Sequence, residues 1–177
     1  MKELKGAYKP LFLCLINKIT KIAKGIVMNI IEQLQIYEGT KQYQTKLGYY
    51  RDGKFWTYKD SLGYPTIGYG HLVKSDESFT NGLTEEQATR LLESDLAIAR
   101  REVAKLNVNL PSDSRWNDFL VLMIFQLGVT KTLQFKKFLA ALRSGNYATA
   151  VIEVKDSNWY RQTPNRVNDM IRVVVNG

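Results

Sequence analysis

From Leu47 to Val73 the chain is dense in aromatic and β-prone residues with glycine at short intervals, while both flanks carry apolar residues at helical spacing. Strand signals gathered in one region, with helix signals elsewhere, point to an α+β fold: a small antiparallel sheet set beside helices. Within the stretch, Asp52-Gly53 stands between Tyr49-Tyr50 and Phe55-Trp56, a two-residue hairpin signal.

The flanks read as helices with recognisable ends. Met28 to Tyr37 places Ile30, Ile31, Leu34 and Tyr37 on one face, and Gly39 supplies a stop. Thr84 and Gln87 have the spacing of a capping box, after which Leu91, Leu92, Leu96, Ala99, Val103 and Leu106 carry an apolar face to about Leu106. At ~1.5 Å per residue such a helix spans about 35 Å, enough to join two lobes. Past Pro111 the pattern is helical throughout. Trp116 to Gln126 is nearly apolar all round and predicts a buried central helix ended by Gly128. Phe135, Phe138, Leu139 and Leu142 mark another helix ended by Gly145, and short helices are predicted over 147–154 and 165–174, the latter with Pro164 at its first turn. The expected organisation is a sheet lobe over about 40–83, a connecting helix over about 84–106, and a helical lobe over about 111–177 joined by a first helix at 28–38.

A length of 177 residues suits one domain, or two small lobes sharing a long helix. With 45% hydrophobic and 24% charged residues, disordered and fibrous classes are excluded. One Cys excludes a disulfide framework and a Cys-rich zinc site, and one His leaves little for a metal cluster. No metal and no cofactor are expected. The net charge of +8 suggests an anionic partner: nucleic acid, a membrane surface or an acidic cell wall. That charge is unevenly placed, because residues 1–27 hold six Lys and one Glu, whereas the other 150 hold 19 basic and 16 acidic side chains. Lys2, Lys5 and Lys9 precede an apolar run from Leu11 to Ile16, shaped like a signal-peptide n-region and h-region and too short to span a bilayer. Leu15, Ile19, Ile22 and Ile26 then recur at helical spacing with Lys18, Lys21 and Lys24 on another face. Three readings stay open for 1–27: an export or transient membrane-contacting segment, a helix packed on the body, or leader sequence before a second start at Met28.

Glycoside cleavage needs an acid for the leaving oxygen and a carboxylate with a polar partner on the opposite face. Glu38 closes the first helix directly before Gly39, and Asp60 and Thr66 lie in the glycine-rich stretch YKDSLGYPTIGYGH. Taken singly, a Glu at a helix end is a solvated side chain and Asp60 a turn residue.

The segments YKDSLGYPTIGYGHLV at 58–73 and SNWYRQTPNRV at 157–167 resemble the two signatures of the T-even phage lysozyme family of peptidoglycan muramidases. FQLG at 125–128 and the first helix ending in Glu38-Gly39 are similar as well, so that the resemblance covers about 28–177 in order. It implies a lysozyme-like fold and a monomer acting on peptidoglycan glycan strands, with no nucleic acid. The enzyme would be made in the host cytoplasm and would act in the periplasm or cell wall, reached by its own N-terminus, through a holin or on a virion. Carried over by position, it implies Glu38 as general acid and Asp60 as the carboxylate supporting the attacking water, which Thr66 helps to hold. It implies Arg166 as the cation beside Glu38, Gln126 as a cleft residue for sugar amides, and His71 with Asp95 as a structural ion pair. Family members of this type invert the anomeric centre.

The chain departs from that pattern in places. Glu38 and Asp60 are 22 residues apart, where the best-known members have under half that. The extra segment, about 40–57, holds the hairpin, and eight of the chain's 20 aromatics fall between Tyr43 and Tyr69. An enlarged saccharide-binding edge and ordinary sheet packing both fit this enrichment. Asp52 is the reserve carboxylate if the insertion alters the geometry. The stretch from His71 to Thr84 is shorter than usual, and Leu122 stands where a polar residue is frequent. No counterpart of the family's last helix follows Val175, and residues 10–27 are expected to pack where it would lie. Two competing activities are a lytic transglycosylase, which needs one Glu and leaves an anhydro product, and a non-catalytic wall-binding module.

Overall fold

The computed structural model describes residues 29–60 and 63–175. The expectations for residues 1–27 as an export, membrane-contacting or packing segment lie outside the described residues. Among those described, no helix is long and apolar enough to cross a membrane.

Helix α1 (Ile30–Tyr37) begins where the Asn29 side chain accepts the Glu32 backbone N–H, and it stops at Glu38 because Gly39 turns away at φ 106°. A second helix, α2 (Lys41–Lys46), follows at once, capped by the Thr40 hydroxyl. The insertion thus opens with a short helix inside the stretch expected as the sheet lobe. Its sequence, KQYQTK, has no apolar stripe, and Gln44 is its one buried residue.

Strands β1 (Tyr50–Arg51) and β2 (Lys54–Phe55) form the expected hairpin, with Tyr50 opposite Phe55. Asp52 at φ 53° and Gly53 at φ 73° make its turn, the left-handed pair that a type I′ turn requires. The sheet is not continuous. Strands β3 (Tyr58–Lys59), β4 (Pro65–Ile67) and β5 (His71–Leu72) build a separate three-stranded antiparallel sheet in chain order. The register aligns Tyr58, Thr66 and Leu72 in one cross-strand row and Ile67 with His71 in another. Because side chains alternate across a strand, the two rows occupy opposite faces of the sheet. Backbone hydrogen bonds between Phe55 and Leu83, 2.7 and 2.9 Å, fasten the hairpin to the chain entering the next helix.

That helix, α3 (Glu85–Glu102), starts in the predicted capping box of Thr84 and Gln87. It tightens into a 3₁₀ turn over Val103–Leu106 and ends at Asn107 in the left-handed region. The helical pattern to Leu106 is therefore real, with its last turn wound more tightly, as is frequent at helix C-termini. Helix α4 (Trp116–Leu127) is the centre of the second lobe, with every residue from Phe119 to Ile124 buried. Around it lie α5 (Val129–Thr132), α6 (Lys136–Arg143), α7 (Tyr147–Lys155), α8 (Asn158–Gln162) and α9 (Pro164–Val175). The short α5 and α8 were not anticipated from periodicity, being too brief to display one. Leu122 is 5% exposed, so its apolar side chain suits its place on α4. Trp116, Phe119, Phe138 and Trp159 pack edge to face or tilted in this core, at centroid separations of 5.0 to 6.2 Å. The fold is α+β and lysozyme-like, with the long α3 leading from the sheets to the helices.

Candidate active site

Glu38 sits at the C-terminus of α1, where the last backbone carbonyls lack helical partners. Arg166, in the first turn of α9, meets both needs of that helix end. One of its guanidinium N–H groups donates to the Tyr37 carbonyl at 2.5 Å and another to Glu38 Oε1 at 2.9 Å. The guanidinium also lies 5.0 Å over the Tyr37 ring. Both charged side chains are largely buried, Glu38 at 21% and Arg166 at 18% exposure. The other carboxylate oxygen faces Gly70, in the turn from β4 to β5: a Cβ there would stand 2.9 Å from Oε2 and 3.1 Å from Cγ. Gly70 has φ +85°, so both its backbone and its neighbour exclude a larger residue.

Burial pushes the Glu38 pKa above its ordinary value, and the charge and hydrogen bond of Arg166 pull against that shift without cancelling it. The carboxyl consequently keeps its proton to a higher pH than a free glutamate, while its conjugate base has a cation in contact. That combination suits an acid that must donate and then be regenerated.

Asp60 follows β3 directly and organises the turn into β4. Its Oδ1 accepts the Tyr64 N–H at 2.8 Å, and its own N–H donates to the Tyr64 carbonyl at 2.9 Å. The turn role expected of an isolated Asp is thus filled by one carboxylate oxygen. Thr66 is 6% exposed on β4, with its hydroxyl donating to the Tyr64 carbonyl at 3.2 Å. Tyr58, opposite Thr66, senses both acids: burial first, then the charges of Glu38, Tyr49 and Asp60, raise its phenol to about 12. Tyr49 from the insertion stacks on Tyr58 at 4.1 Å with planes 6° apart. Asp52, the reserve carboxylate, is in the exposed hairpin turn.

On the opposite face of the sheet, His71 Nδ1 lies 2.7 Å from Asp95 Oδ2 of α3. A second carboxylate, Glu77, reaches its Nε2 at 2.8 Å and also accepts the Lys74 backbone N–H at 2.9 Å. Glu77 was not legible in the sequence, since it sits in a loop and has no motif around it. The His71 pKa is raised by the hydrogen bond to Asp95, against opposing burial, with the Glu77 contacts adding to the rise. No group of three or more His, Cys, Asp or Glu among the described residues is arranged to hold a metal ion.

A cleft of about 320 Å³ opens between β5, α3 and the end of α4, and its lining includes Gly70, Leu72, Ile98, Phe125, Gly128 and Val129. It reaches the glycine against which the Glu38 carboxylate rests. Gln126 is half-buried at the end of α4, with Oε1 lacking a hydrogen-bond partner among the described residues. Trp159 is a core residue at 4% exposure.

The family described as phage lysozyme matches residues 53–172. The match begins inside the insertion hairpin, so Glu38 precedes it. A probable T4-type lysozyme of Dictyostelium discoideum is 32% identical over 157 residues, covering 74% of this chain and 92% of that protein. The endolysin of Salmonella phage P22 is 35% identical over 95 residues, covering 48% of this chain and 64% of that protein. The peptidoglycan hydrolase gp36 of Pseudomonas phage phiKMV is 30% identical over 117 residues, 65% of this chain and 13% of that protein.

Proposed function

The chain belongs to the phage lysozyme family and is a peptidoglycan hydrolase of glycosidase type, and from that premise we propose a muramidase that inverts the anomeric centre. Its target is the β-1,4 bond from N-acetylmuramic acid to N-acetylglucosamine. Glu38 gives its proton to the leaving glycosidic oxygen as the C1–O bond breaks. A water supported by Asp60 and Thr66 attacks C1 from the opposite face, its proton leaves to Asp60 and then to solvent, and Glu38 is reprotonated from water. Arg166 holds the Glu38 carboxylate in place once the proton has gone. Gln126, half-buried at the end of α4, is assigned to the acetamido group of the sugar. His71 and Asp95 brace the sheet against α3 and take no part in bond cleavage.

The observation that carries this reading is the setting of Glu38: largely buried, paired with Arg166 at 2.9 Å and raised in pKa. Glu38→Gln keeps the shape and removes the proton. Lysis of purified peptidoglycan, followed by turbidity, is expected to fall at least about 100-fold in that variant, the usual scale of general acid catalysis. Lysis equal to the unsubstituted protein refutes the assignment. Mass spectrometry of the fragments is expected to find reducing ends carrying added water, whereas anhydro ends would indicate a transglycosylase. Proton NMR of the first-formed anomer tests inversion.

A further inference from the structure

Helix α2 is a polar six-residue helix whose single buried side chain is an amide. Gln44 is 2% exposed, and its Nε2 donates to two backbone carbonyls: Gly68 at 2.8 Å and Gly39 at 3.2 Å. Both partners are acceptors, so the network itself fixes which end of the amide carries the N–H groups. The Oε1 atom is buried with no partner among the described residues. Burying an unpaired acceptor is costly, so a residue serving packing alone would be apolar here.

The two carbonyls are informative. Gly39 directly follows Glu38. Gly68 opens the turn that ends at Gly70, the residue in contact with the Glu38 carboxylate. On its far side the same turn is packed on α3, where a Cβ on Gly68 would stand 3.2 Å from the Ala88 Cβ. We propose that Gln44 is a positioning residue for Glu38, its amide tying the backbone just after the acid to the loop that closes over it. α2 is itself held in place by the Lys41–Glu85 ion pair at 2.6 Å and by the Tyr49 N–H donating to the Gln44 carbonyl at 2.9 Å. The insertion thus acts as a strut from α1 to the sheet, and Gln44 is the point at which it grips both. The inference rests on the reading of Glu38 as the acid.

The test uses the full chain carrying Gln44→Met, which keeps the volume, and Gln44→Asn, which keeps the amide but is too short for both carbonyls. Initial rates on purified peptidoglycan are taken across concentration and pH, well below each variant's melting temperature, beside the unsubstituted chain and Glu38→Gln. The expected result is a fall in kcat of about tenfold or more with KM within twofold, the scale of a misplaced catalytic group. The alkaline limb of the kcat profile is expected to move to lower pH, because a loosened Glu38 is better solvated and gives up its proton sooner. A simple loss of folded protein would not move that limb. Unchanged kcat and limb in either folded variant overturn the proposal, while an active unsubstituted chain and an inactive Glu38→Gln keep the acid assignment standing. Failure of both variants to fold makes Gln44 a folding residue and also overturns it. Inactivity of the unsubstituted chain removes the acid assignment and the proposal together.

Discussion

Glu38 is held between two opposed influences, burial that favours its neutral form and Arg166 that favours its charge. Replacing the arginine leaves only the first. In Arg166→Ala the folded-state pKa of Glu38 rises further, so the native protein binds a proton that the unfolded chain has released. Stability then falls as pH rises from the ordinary carboxylate range through that raised pKa. Removing one partner of a largely buried pair is expected to destabilise by about 3 kcal/mol at pH 8 and by clearly less at pH 5. Thermal melts of both proteins at the two pH values check this, and a pH-independent loss would mean that the contact to the Tyr37 carbonyl matters more than the charge. Arg166→Lys should not restore the native value, since an ammonium cannot match the two-partner geometry of the fork. Glu38, Asp60 and Arg166 stand out in the sequence as candidates because they sit in recognisable motifs. Gln44 and Glu77 do not, because their contacts are with partners 24 and 6 residues away that no local pattern encodes.

Among the elements, the same division holds. The capping box at Thr84, the hairpin at Asp52-Gly53 and the stop at Gly128 were readable because each meets a local backbone requirement with a particular side chain. The helix α2 was not readable from periodicity, since its polar residues make no seam. Its one local signal was Thr40 as an N-cap. The His71 cluster joins β5, α3 and the loop between them, and gives this junction a pH dependence of its own. His71 is raised above its ordinary value, so its contribution is fully present below about pH 6.5 and is lost as pH climbs through the folded-state pKa. Glu77 is lowered to about 2, mainly by the Lys74 backbone N–H and then by His71, so its contribution holds above the usual carboxylate range and is lost as pH falls toward that value. In His71→Asn, melting temperature is expected to drop at pH 6 and to converge with the unsubstituted protein at pH 9. A constant gap across that range would show that His71 acts through packing on Phe79 instead of through charge.

At the scale of the molecule, a core centred on α4 supports the helical lobe while α3 leads from it to the sheets. The net charge of +8 belongs largely to the first 27 residues, and the remainder is only mildly basic. Encounter with an anionic wall should therefore respond to ionic strength in the full chain. Going from about 0.01 M to about 0.1 M salt shortens the screening length from about 30 to about 10 Å. Lysis at low peptidoglycan concentration is expected to slow several-fold across that range, with little change at saturation, as turbidity rates would reveal. A flat response would dissociate the charge from wall encounter. The contact between Glu38 and Arg166 spans 128 residues of sequence, and this has a consequence for the chain while it is being synthesised. On the ribosome, Glu38 emerges long before its guanidinium partner, and α1 can wind with its final carbonyl still answered by water. The Glu38 carboxyl acquires its electrostatic setting only after residue 166 has cleared the exit tunnel, so the nascent chain grows by 128 residues with that part of the candidate site unfinished.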